Sequence, residues 1–376
     1  MRILVAPDSF KECLSAAQVS SAIASGWRQA APNDEIVELP MADGGEGTTQ
    51  ILVDRKQGRL QHCQVEGPLG SPISAYYGVV DDGRTAIVEV AQASGLQSVP
   101  ENKRDALLSS SYGTGELLRI ALESGAQTLI IGLGGSACTD AGAGMLQALG
   151  AKLLDQDGKQ IPRGGSSLVA LASIDLSEVL KRVAGKQLIV ATDVSNMLLG
   201  KQGAAHVFGP QKGAGVNAVA LLEHNLEHFA RCASAHGFEI SKFPGSGAAG
   251  GIGGALGGML GAQICSGVQI VMQALDFEKE LKGVDLVITG EGSMDSQSAA
   301  GKVPAGVCAM AKRAQVPVIG VAGMVGSELQ ALHDIGLAAV FSIAQGPTSK
   351  ADALANAASN LANTAEQIGR LVHAFR

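Results

Sequence analysis

Short apolar runs, each followed by a turn rich in Gly, Ser or Asp, punctuate the sequence. Six runs of four or five residues, rich in β-branched side chains, are followed by such a turn and then by a helix-like segment. This alternation is typical of α/β folding. The runs are Arg2–Ala6, Glu35–Leu39, Thr128–Ile131, Gln187–Ala191, Asp285–Ile288 and Val318–Val321. Because ligands of open α/β sheets bind outside the carboxyl ends of the strands, we expect these turns to form the walls of a site.

The middle of the chain has a different pattern. Between about residues 61 and 93 polar and apolar positions alternate, and the runs Ile73–Val80 and Thr85–Val90 flank an Asp-Asp-Gly step that predicts a hairpin. Val216–Ala235 reads as a long helix. A chain of 376 residues is long enough for two domains. We therefore predict a discontinuous domain of β-α-β units, residues 1–60 plus 280–376, into which a mixed α/β domain, residues 61–279, is inserted.

Composition narrows the classes of partner. The net charge is −7 and aromatic residues make up 3% of the chain, which argues against nucleic acid and anionic lipid as ligands. The six cysteines are scattered without a C-x-x-C pair, and the chain opens on a strand-like run without a signal peptide. We therefore expect a cytoplasmic protein with reduced thiols. The apolar stretch Gly247–Leu275 is too rich in Gly and Gln for a membrane span. The part of it around Gly250–Leu260 leaves a homodimer interface open as an alternative to a buried core.

Gly-rich segments are the candidate phosphate sites. The P-loop pattern is absent, and Gly245–Gly250 matches G-x-G-x-x-G without a preceding strand, so it supports a dinucleotide-dependent dehydrogenase only weakly. Gly132–Ala137 is a better candidate, because it follows a strand and precedes an apolar helix predicted at Ala141–Leu149, whose N-terminus would attract an anion. A tight turn without a ligand remains the alternative for this segment. The H-x-x-E-H string at His224–His228 is explained by helix packing rather than by zinc.

Acidic residues cluster in the turns after the predicted strands. Neighbouring carboxylates repel one another unless a cation or a proton donor lies between them, and oxygen ligands without His or Cys suit Mg²⁺. Because Mg²⁺ in such sites usually accompanies nucleotide phosphates, phosphoryl transfer is the leading reaction class. Three lysines in Gly- or Ser-rich segments could face the phosphates, with solvated surface lysines as the alternative. The acids are Asp43, Glu46, Asp193, Glu291 and Asp295, and the lysines are Lys11, Lys212 and Lys302.

Five ordered blocks carry a resemblance to a known family. They are Ala6–Lys11 (APDSFK), Ala42–Thr48 (ADGGEGT), Gly132–Ala137 (GLGGSA), Val207–Ala214 (VFGPQKGA) and Asp285–Gly292 (DLVITGEG). Together they resemble the signature blocks of the bacterial type I glycerate kinases, and the likeness runs from end to end. The chain departs from the family pattern at Glu12 and Cys13, at Cys138–Ala141 and at Met197. The departures retain Lys11, Ser136, Asp140 and Asp193, so we expect the reaction class to be preserved.

The resemblance implies a fold and a reaction. It implies one flavodoxin-like (Rossmann-like) parallel-sheet domain and one inserted mixed α/β domain, with the active site in the cleft between them. It also implies ATP, Mg²⁺ and D-glycerate, with 2-phosphoglycerate as the product in glycerate and glyoxylate breakdown. Phosphorylation of the 3-hydroxyl, and a non-catalytic sensor of small anions or nucleotides, are the alternatives.

Roles for single residues follow as hypotheses from this resemblance. Asp193 would act as the base on the glycerate hydroxyl, and Lys212 or Lys302 would neutralise charge on the transferred phosphoryl group. Asp43 with Glu46, or Glu291 with Asp295, would hold Mg²⁺. The residues expected to bind glycerate are Asp8, Ser9, Lys11, Asp193 and Asn196. Those expected to bind the nucleotide are Gly44, Gly45, Gly134, Gly135, Ser136, Gly290, Gly292, Ser298 and Lys302.

Overall fold

The computed structural model of the protein describes residues 1–299 and 301–375. The strands over these residues are β1 (Arg2–Val5), β2 (Glu35–Glu38), β3 (Arg59–Glu66), β4 (Pro72–Val80), β5 (Thr85–Glu89), β6 (Thr128–Gly132), β7 (Lys152–Leu154), β8 (Ser173–Asp175), β9 (Gln187–Ala191), β10 (Gln263–Cys265), β11 (Leu286–Met294), β12 (Val318–Val325) and β13 (Leu337–Ser342). The α-helices are α1 (Ala16–Ala30), α2 (Thr48–Arg55), α3 (Val90–Ser94), α4 (Tyr112–Glu123), α5 (Ala143–Ala148), α6 (Ser177–Val183), α7 (Ala204–Phe208), α8 (Val216–Ala235), α9 (Ile252–Leu260), α10 (Gly267–Ala274), α11 (Phe277–Glu280), α12 (Val303–Arg313), α13 (Gln330–Asp334), α14 (Lys350–Ala355) and α15 (Ala357–Ala374).

The chain divides into two compact units. The first consists of Met1–Asp43 together with the segment from Val268 onward, and the second is Gly44–Gly267. The first unit contains a five-stranded sheet in the order β13-β12-β11-β1-β2, and all four strand pairs are parallel. Counted along this unit, the order is 2-1-3-4-5, one of the common doubly wound arrangements. From β1 the next strand along the chain, β2, is added on one side, and the later strands are added on the other side, beginning with β11. The strand order therefore reverses between β1 and β11, and sheets of this kind bind ligands at such a point.

The strands of the first unit are apolar because helices cover the sheet. Ile3, Val5 and Ile288 are fully buried, as expected of parallel strands that are covered on both faces. Helices α1 and α15 pack against each other, and their apolar side chains, Trp27 and Leu361 among them, join these strand residues in one core. The predicted strands Arg2–Ala6, Glu35–Leu39 and Asp285–Ile288 thus lie side by side in one parallel sheet, with the strand of Glu35–Leu39 at its edge.

The second unit is built on a mixed six-stranded sheet in the order β10-β9-β6-β5-β4-β3. Strands β3, β4 and β5 pair antiparallel, whereas β5, β6, β9 and β10 run parallel. The predicted hairpin is confirmed, since β4 and β5 are joined at Asp81, Asp82 and Gly83, all of which have positive φ. Helix α8 has the predicted bounds. The mixed α/β class with parallel sheets is therefore confirmed.

The apolar stretch Gly247–Leu275 is divided into several short elements. A 3₁₀ turn at Ala248–Gly251 leads into α9, and α9 is followed by β10 and α10. Helix α9 is buried over most of its length. Among the described residues, none of the helices has both the length and the apolar character needed to cross a bilayer.

Candidate active site

Three acidic side chains follow, or lie in, three neighbouring strands of the first unit. Asp8 comes just after β1, Asp43 comes after β2, and Glu291 lies in β11. The backbone N–H of Asp8 donates to the carbonyl of Gly290 at 2.8 Å, which keeps the chain beyond β1 alongside β11. The acids therefore lie at the carboxyl edge of the sheet, on both sides of the point where the strand order reverses.

Asp8 is the acid of this group whose protonation depends most on its surroundings. Asp8 is 6% exposed, and burial raises its pKa well above the usual range, with a further rise from the charges of Asp43 and Glu291. The Ser9 N–H, which donates to Asp8 Oδ1 at 2.6 Å, and the Lys11 ammonium act in the opposite direction. A carboxyl group with such neighbours retains its proton to a higher pH than an exposed aspartate.

Glu291 has one paired oxygen and one unpaired oxygen. Lys302 Nζ donates to its Oε2 at 3.1 Å, whereas its buried Oε1 accepts no hydrogen bond in the described part of the chain. Burial raises the pKa of Glu291, and the nearby Ser298 hydroxyl and the ammonium groups of Lys302 and Lys11 oppose that rise. A buried carboxylate oxygen without a partner is costly, so it marks a place where a ligand or a cation would be stabilised.

The turn after β11 uses its polar groups to hold its own shape. Ser298 is fully buried, its hydroxyl accepts from the Asp295 N–H at 3.0 Å, and its own N–H donates to the Asp295 carbonyl at 3.0 Å. Lys302 stands at the N-cap of α12. The side chain of Asp295 is half-buried and Lys11 is exposed.

Glycines bring three predicted turns of the second unit into backbone contact. A Cβ on Gly134 would lie 2.4 Å from the Cα of Gly45, and a Cβ on Gly132 would lie 2.4 Å from the carbonyl oxygen of Gly44. A Cβ on Gly44 would lie 2.7 Å from the carbonyl oxygen of Ala191. These glycines thus serve close packing of backbone, and the turns after β6 and β9 meet the segment before α2.

Lys212 is a buried lysine whose side chain contacts the Gly-rich loop after β6. It is 2% exposed, and its Nζ donates to Ser136 Oγ at 3.0 Å and to the Cys138 carbonyl at 2.6 Å. Burial lowers the pKa of Lys212, while the charge of Asp140 favours its protonated form. An ammonium has three N–H donors, and these two contacts use two of them. The Val207–Ala214 segment thus brings its lysine to the predicted phosphate loop.

The helix that follows this loop begins later in the chain than predicted. The helix α5 begins at Ala143 rather than at Ala141, and its first turn is already occupied by the side chain of Asp140. The Asp140 carboxylate accepts from the N–H groups of Gly142 at 3.2 Å and Gly144 at 3.3 Å. Sequence reasoning overlooked that an acid just before a helix can satisfy the amides to which an external anion would bind.

The remaining predicted residues lie in loops of both units. Asp193 follows β9 and is half-buried, and Asn196 Nδ2 donates to the carbonyl of Gln202 at 2.8 Å. Glu46 is exposed before α2. In the first unit, a Cβ on Gly290 would lie 2.4 Å from the Val321 carbonyl oxygen, whereas one on Gly292 would meet nothing closer than 3.5 Å. Gly290 therefore packs against β12, and Gly292 has more space around it.

Glu89 is a buried acid that the sequence reasoning missed. It ends β5, is 1% exposed, and accepts from the N–H groups of Thr49 at 2.5 Å and Gly47 at 3.3 Å. Burial raises its pKa, against the effect of these hydrogen bonds. The signal was present, because Glu89 closes an apolar run in the same way as the acids at the other strand ends. It holds the start of α2 against the sheet.

The described acidic, His and Cys side chains do not form a metal cage of their own. Within residues 1–299 and 301–375, no group of three His, Cys, Asp or Glu side chains has the arrangement of a preformed metal site. The buried Oε1 of Glu291, which accepts no hydrogen bond from the described residues, could contribute one ligand to a cation whose other ligands come from outside the protein.

Comparison with known proteins agrees with these blocks. Residues 3–373 match the sequence model of the glycerate kinase family. The chain is 48% identical to a glycerate kinase of Bacillus subtilis (strain 168) and 47% identical to a glycerate 2-kinase of Escherichia coli (strain K12), in each case over 98% of this chain and 97% of the relative. A crystal structure from Salmonella typhimurium LT2 that carries the name glycerate kinase 2 superposes with a TM-score of 0.82 at 47% identity, covering 100% of this chain and 98% of that one. The chain therefore belongs to the glycerate kinase family.

Proposed function

We propose that this protein is an ATP-dependent kinase that transfers the γ-phosphoryl group of ATP to the 2-hydroxyl of D-glycerate, giving 2-phosphoglycerate and ADP. The observation that carries the proposal is the identity of 47% over nearly the full length with a protein named glycerate 2-kinase. A place in glycerate and glyoxylate breakdown follows from the substrate. The cytoplasmic location and the homodimer stay predictions.

The first unit supplies groups suited to the substrate. We assign the glycerate carboxylate to Ser9 and Lys11, next to Asp8. What supports this is their shared position in the turn after β1, where the Ser9 N–H donates to Asp8 Oδ1 at 2.6 Å. The exposed Lys11 would add the opposite charge. Asn196 is kept as a further contact to glycerate, through the oxygen of its amide.

The second unit supplies groups suited to the phosphates. We assign the triphosphate to the loop Gly134–Ser136, together with Lys212. Two N–H groups of the Lys212 ammonium hold this loop, and the third has no partner in the described part of the chain. In a buried setting an ammonium that is already fixed stabilises negative charge on the transferred phosphoryl group without reorganising. Gly44 and Gly45 would act by packing against this loop, and Gly290, Gly292, Ser298 and Lys302 remain candidates for further nucleotide contacts.

Magnesium would be held mainly by the phosphates, with one or two protein carboxylates. Mg²⁺ in kinases keeps several waters and rarely uses a cage made only of protein ligands. Of the four predicted ligands we rank Glu291 and Asp43 first, because Glu291 has a buried oxygen without a hydrogen bond and both acids act on the same neighbour, Asp8. Glu46 and Asp295 are kept as second choices. When bound, the ion would neutralise charge on the β- and γ-phosphates.

Asp193 is the proposed base. It stands directly after β9, at the same edge of the sheet as the loop that follows β6, and it is half-buried. An aspartate there would orient the 2-hydroxyl and accept its proton as the oxygen attacks the γ-phosphorus. The proton then leaves on Asp193, and ADP leaves with the electron pair of the broken P–O bond.

The test is one assay with two readouts. Release of ADP is followed by a coupled assay with ATP, Mg²⁺ and D-glycerate, and the quenched product is examined by phosphorus NMR. We expect 2-phosphoglycerate. A signal from 3-phosphoglycerate would retain the kinase and overturn the choice of hydroxyl. Binding of ATP and glycerate without any ADP from a folded sample would instead indicate the sensor.

A further inference from the structure

The Asp140 carboxylate is the meeting point of a buried hydrogen-bond network in the second unit. It is fully buried and accepts the Ser111 N–H at 2.8 Å, the Ser111 hydroxyl at 2.9 Å and the Ser110 hydroxyl at 3.4 Å. It also accepts the N–H groups of Gly142 and Gly144 at the start of α5. One carboxylate therefore ties the start of α4 to the start of α5. A buried charge with this many donors is fixed in place.

The same stretch of chain carries the acceptors of Lys212. Ser136 Oγ and the Cys138 carbonyl, four and two residues before Asp140, both accept from Lys212 Nζ. The residues on either side of Ser136 are held by main-chain bonds, since the Gly135 carbonyl accepts from the Leu96 N–H and the Ala137 N–H donates to the Ser94 carbonyl. Beyond Cys138 the loop is held by the side chain of Asp140 and by the Ala141 N–H, which donates to the Gly250 carbonyl at 3.0 Å.

We propose that Asp140 is a positioning residue of the kinase: its buried carboxylate holds the loop from Gly134 to Gly142 in the shape that places Ser136 Oγ and the Cys138 carbonyl on the Lys212 ammonium. The proposal rests on the assignment of Lys212 to the phosphates made above. Asp140 has no part in touching substrate, because it is fully buried and its donors all come from the protein. Burial raises the pKa of Asp140, and the donors of Ser111, Gly144 and Gly142 oppose that rise; the charge that they favour in turn favours the protonated form of Lys212.

Substitution of Asp140 by Asn keeps the volume and removes the charge and one acceptor. The new amide N–H groups would face the N–H donors of Ser111 or of Gly142 and Gly144, so part of the network is lost and the loop shifts. We expect kcat to fall by about 10- to 100-fold, with KM for ATP and for glycerate within about threefold of the parent. Glu116→Gln is the matched control, because Glu116 is a half-buried acid of α4 that accepts the Glu66 N–H and lies outside the hydrogen-bond network of Asp140. We expect it to leave kcat unchanged.

A double-mutant cycle separates positioning from a merely structural role. If Asp140 acts through Lys212, then D140N lowers kcat by less than about threefold in a Lys212→Met background, although it still lowers the melting temperature there. Equal fold-losses of kcat in both backgrounds would overturn the proposal. Should D140N not fold, Ser111→Ala keeps the Asp140 charge and removes two hydrogen bonds of the Ser111 hydroxyl, the one it donates to Asp140 and the one it accepts from the Met145 N–H, and we expect the same pattern with a smaller loss of about 3- to 10-fold.

A second readout does not depend on glycerate turnover. In protein labelled with ¹⁵N-lysine, the Lys212 ammonium signal is identified by its disappearance in Lys212→Met. We expect that signal to shift or broaden in folded D140N and to stay unchanged in Glu116→Gln. An unchanged signal in D140N would overturn the positioning role. A shifted signal in a protein that does not phosphorylate glycerate would retain the positioning role and overturn the proposed function.

Discussion

Among single residues, Asp193 carries the most direct consequence for catalysis. Asp193→Asn keeps the shape of the side chain and removes its ability to accept a proton, so we expect kcat to fall by about 100-fold or more with KM for glycerate little changed. Steady-state kinetics with saturating ATP measure both. Asp175→Asn, a substitution of another loop-facing aspartate of the same unit, should retain full activity. A rise confined to KM would reassign Asp193 to binding.

Glu89 gives a prediction about pH and stability. Burial raises the pKa of Glu89 above its ordinary value of 4.5, so between that value and its folded-state pKa the native protein holds more protons than the unfolded chain. Stability contributed by this group is therefore full below pH 4.5 and is lost as the pH rises through the folded-state pKa. Glu89→Gln has no such loss. We expect the free energy of unfolding of the variant, relative to the parent, to rise steadily as the pH is raised from about 4.5.

Urea unfolding at a series of pH values measures that difference. Asp175→Asn is the control, because the Ser177 hydroxyl and N–H lower the pKa of Asp175 below its ordinary value of 3.8, and its protonation change lies below the range examined. Its stability relative to the parent should stay level above about pH 5. A difference for Glu89→Gln that is independent of pH would show that the carboxyl group titrates alike in the folded and unfolded chains.

At the scale of elements, the Gly-rich turns act by allowing backbones to touch. A Cβ on Gly134 would lie 2.4 Å from the Cα of Gly45, and neither main chain can move away without disturbing the sheet. We therefore expect Gly134→Ala to lower the melting temperature by several degrees and kcat by at least about 10-fold. Gly346→Ala is the control, because among the described residues nothing lies within 4 Å of a Cβ at that position and its φ is not positive. Calorimetry that found the two variants equally stable would contradict this account.

The elements were predicted better than their ends. Apolar runs located the buried strands β1, β6, β9 and β11, because a strand covered on both faces must be apolar throughout. The start of α5 was misplaced by two residues, because Asp140 and Gly142 form a turn whose shape depends on Ser111, which lies 29 residues earlier in the chain. Contacts of this kind have no local signature. The same reason explains why Asp140 was noted in the sequence without a role.

At the scale of the whole molecule, the candidate site residues fall in two groups with different chemistry. The first unit carries three mutually repelling carboxylates with Lys11 and Lys302, and the second carries the buried Lys212 and its loop. Their types could be predicted from the sequence, because acids and lysines stood in turns after strands. Which of these residues lie together could not be predicted. Glu291 pairs with Lys302, and the charges of Glu291 and Asp43 both raise the pKa of Asp8. These contacts depend on the order of the strands in the sheet.

This division predicts that substitutions in the two groups of residues lower the kinase activity in different ways. Removing charge from the first group, by Glu291→Gln or Asp43→Asn, should raise the Mg²⁺ concentration needed for half-maximal turnover by about 10-fold, because a carboxylate ligand of the ion is lost, while excess Mg²⁺ restores much of kcat. Lys212→Met should lower kcat by at least about 100-fold at every Mg²⁺ concentration, because the charge that it removes acts on the phosphoryl group itself. Glu328→Gln, which changes an exposed acid of the first unit, is the control and should leave both quantities unchanged.

Titration of MgCl₂ at fixed ATP distinguishes the two patterns. If Glu291→Gln and Asp43→Asn lowered kcat without changing the Mg²⁺ requirement, the acids would be assigned to glycerate instead, and magnesium would have to be held by Glu46, Asp295 or the phosphates alone.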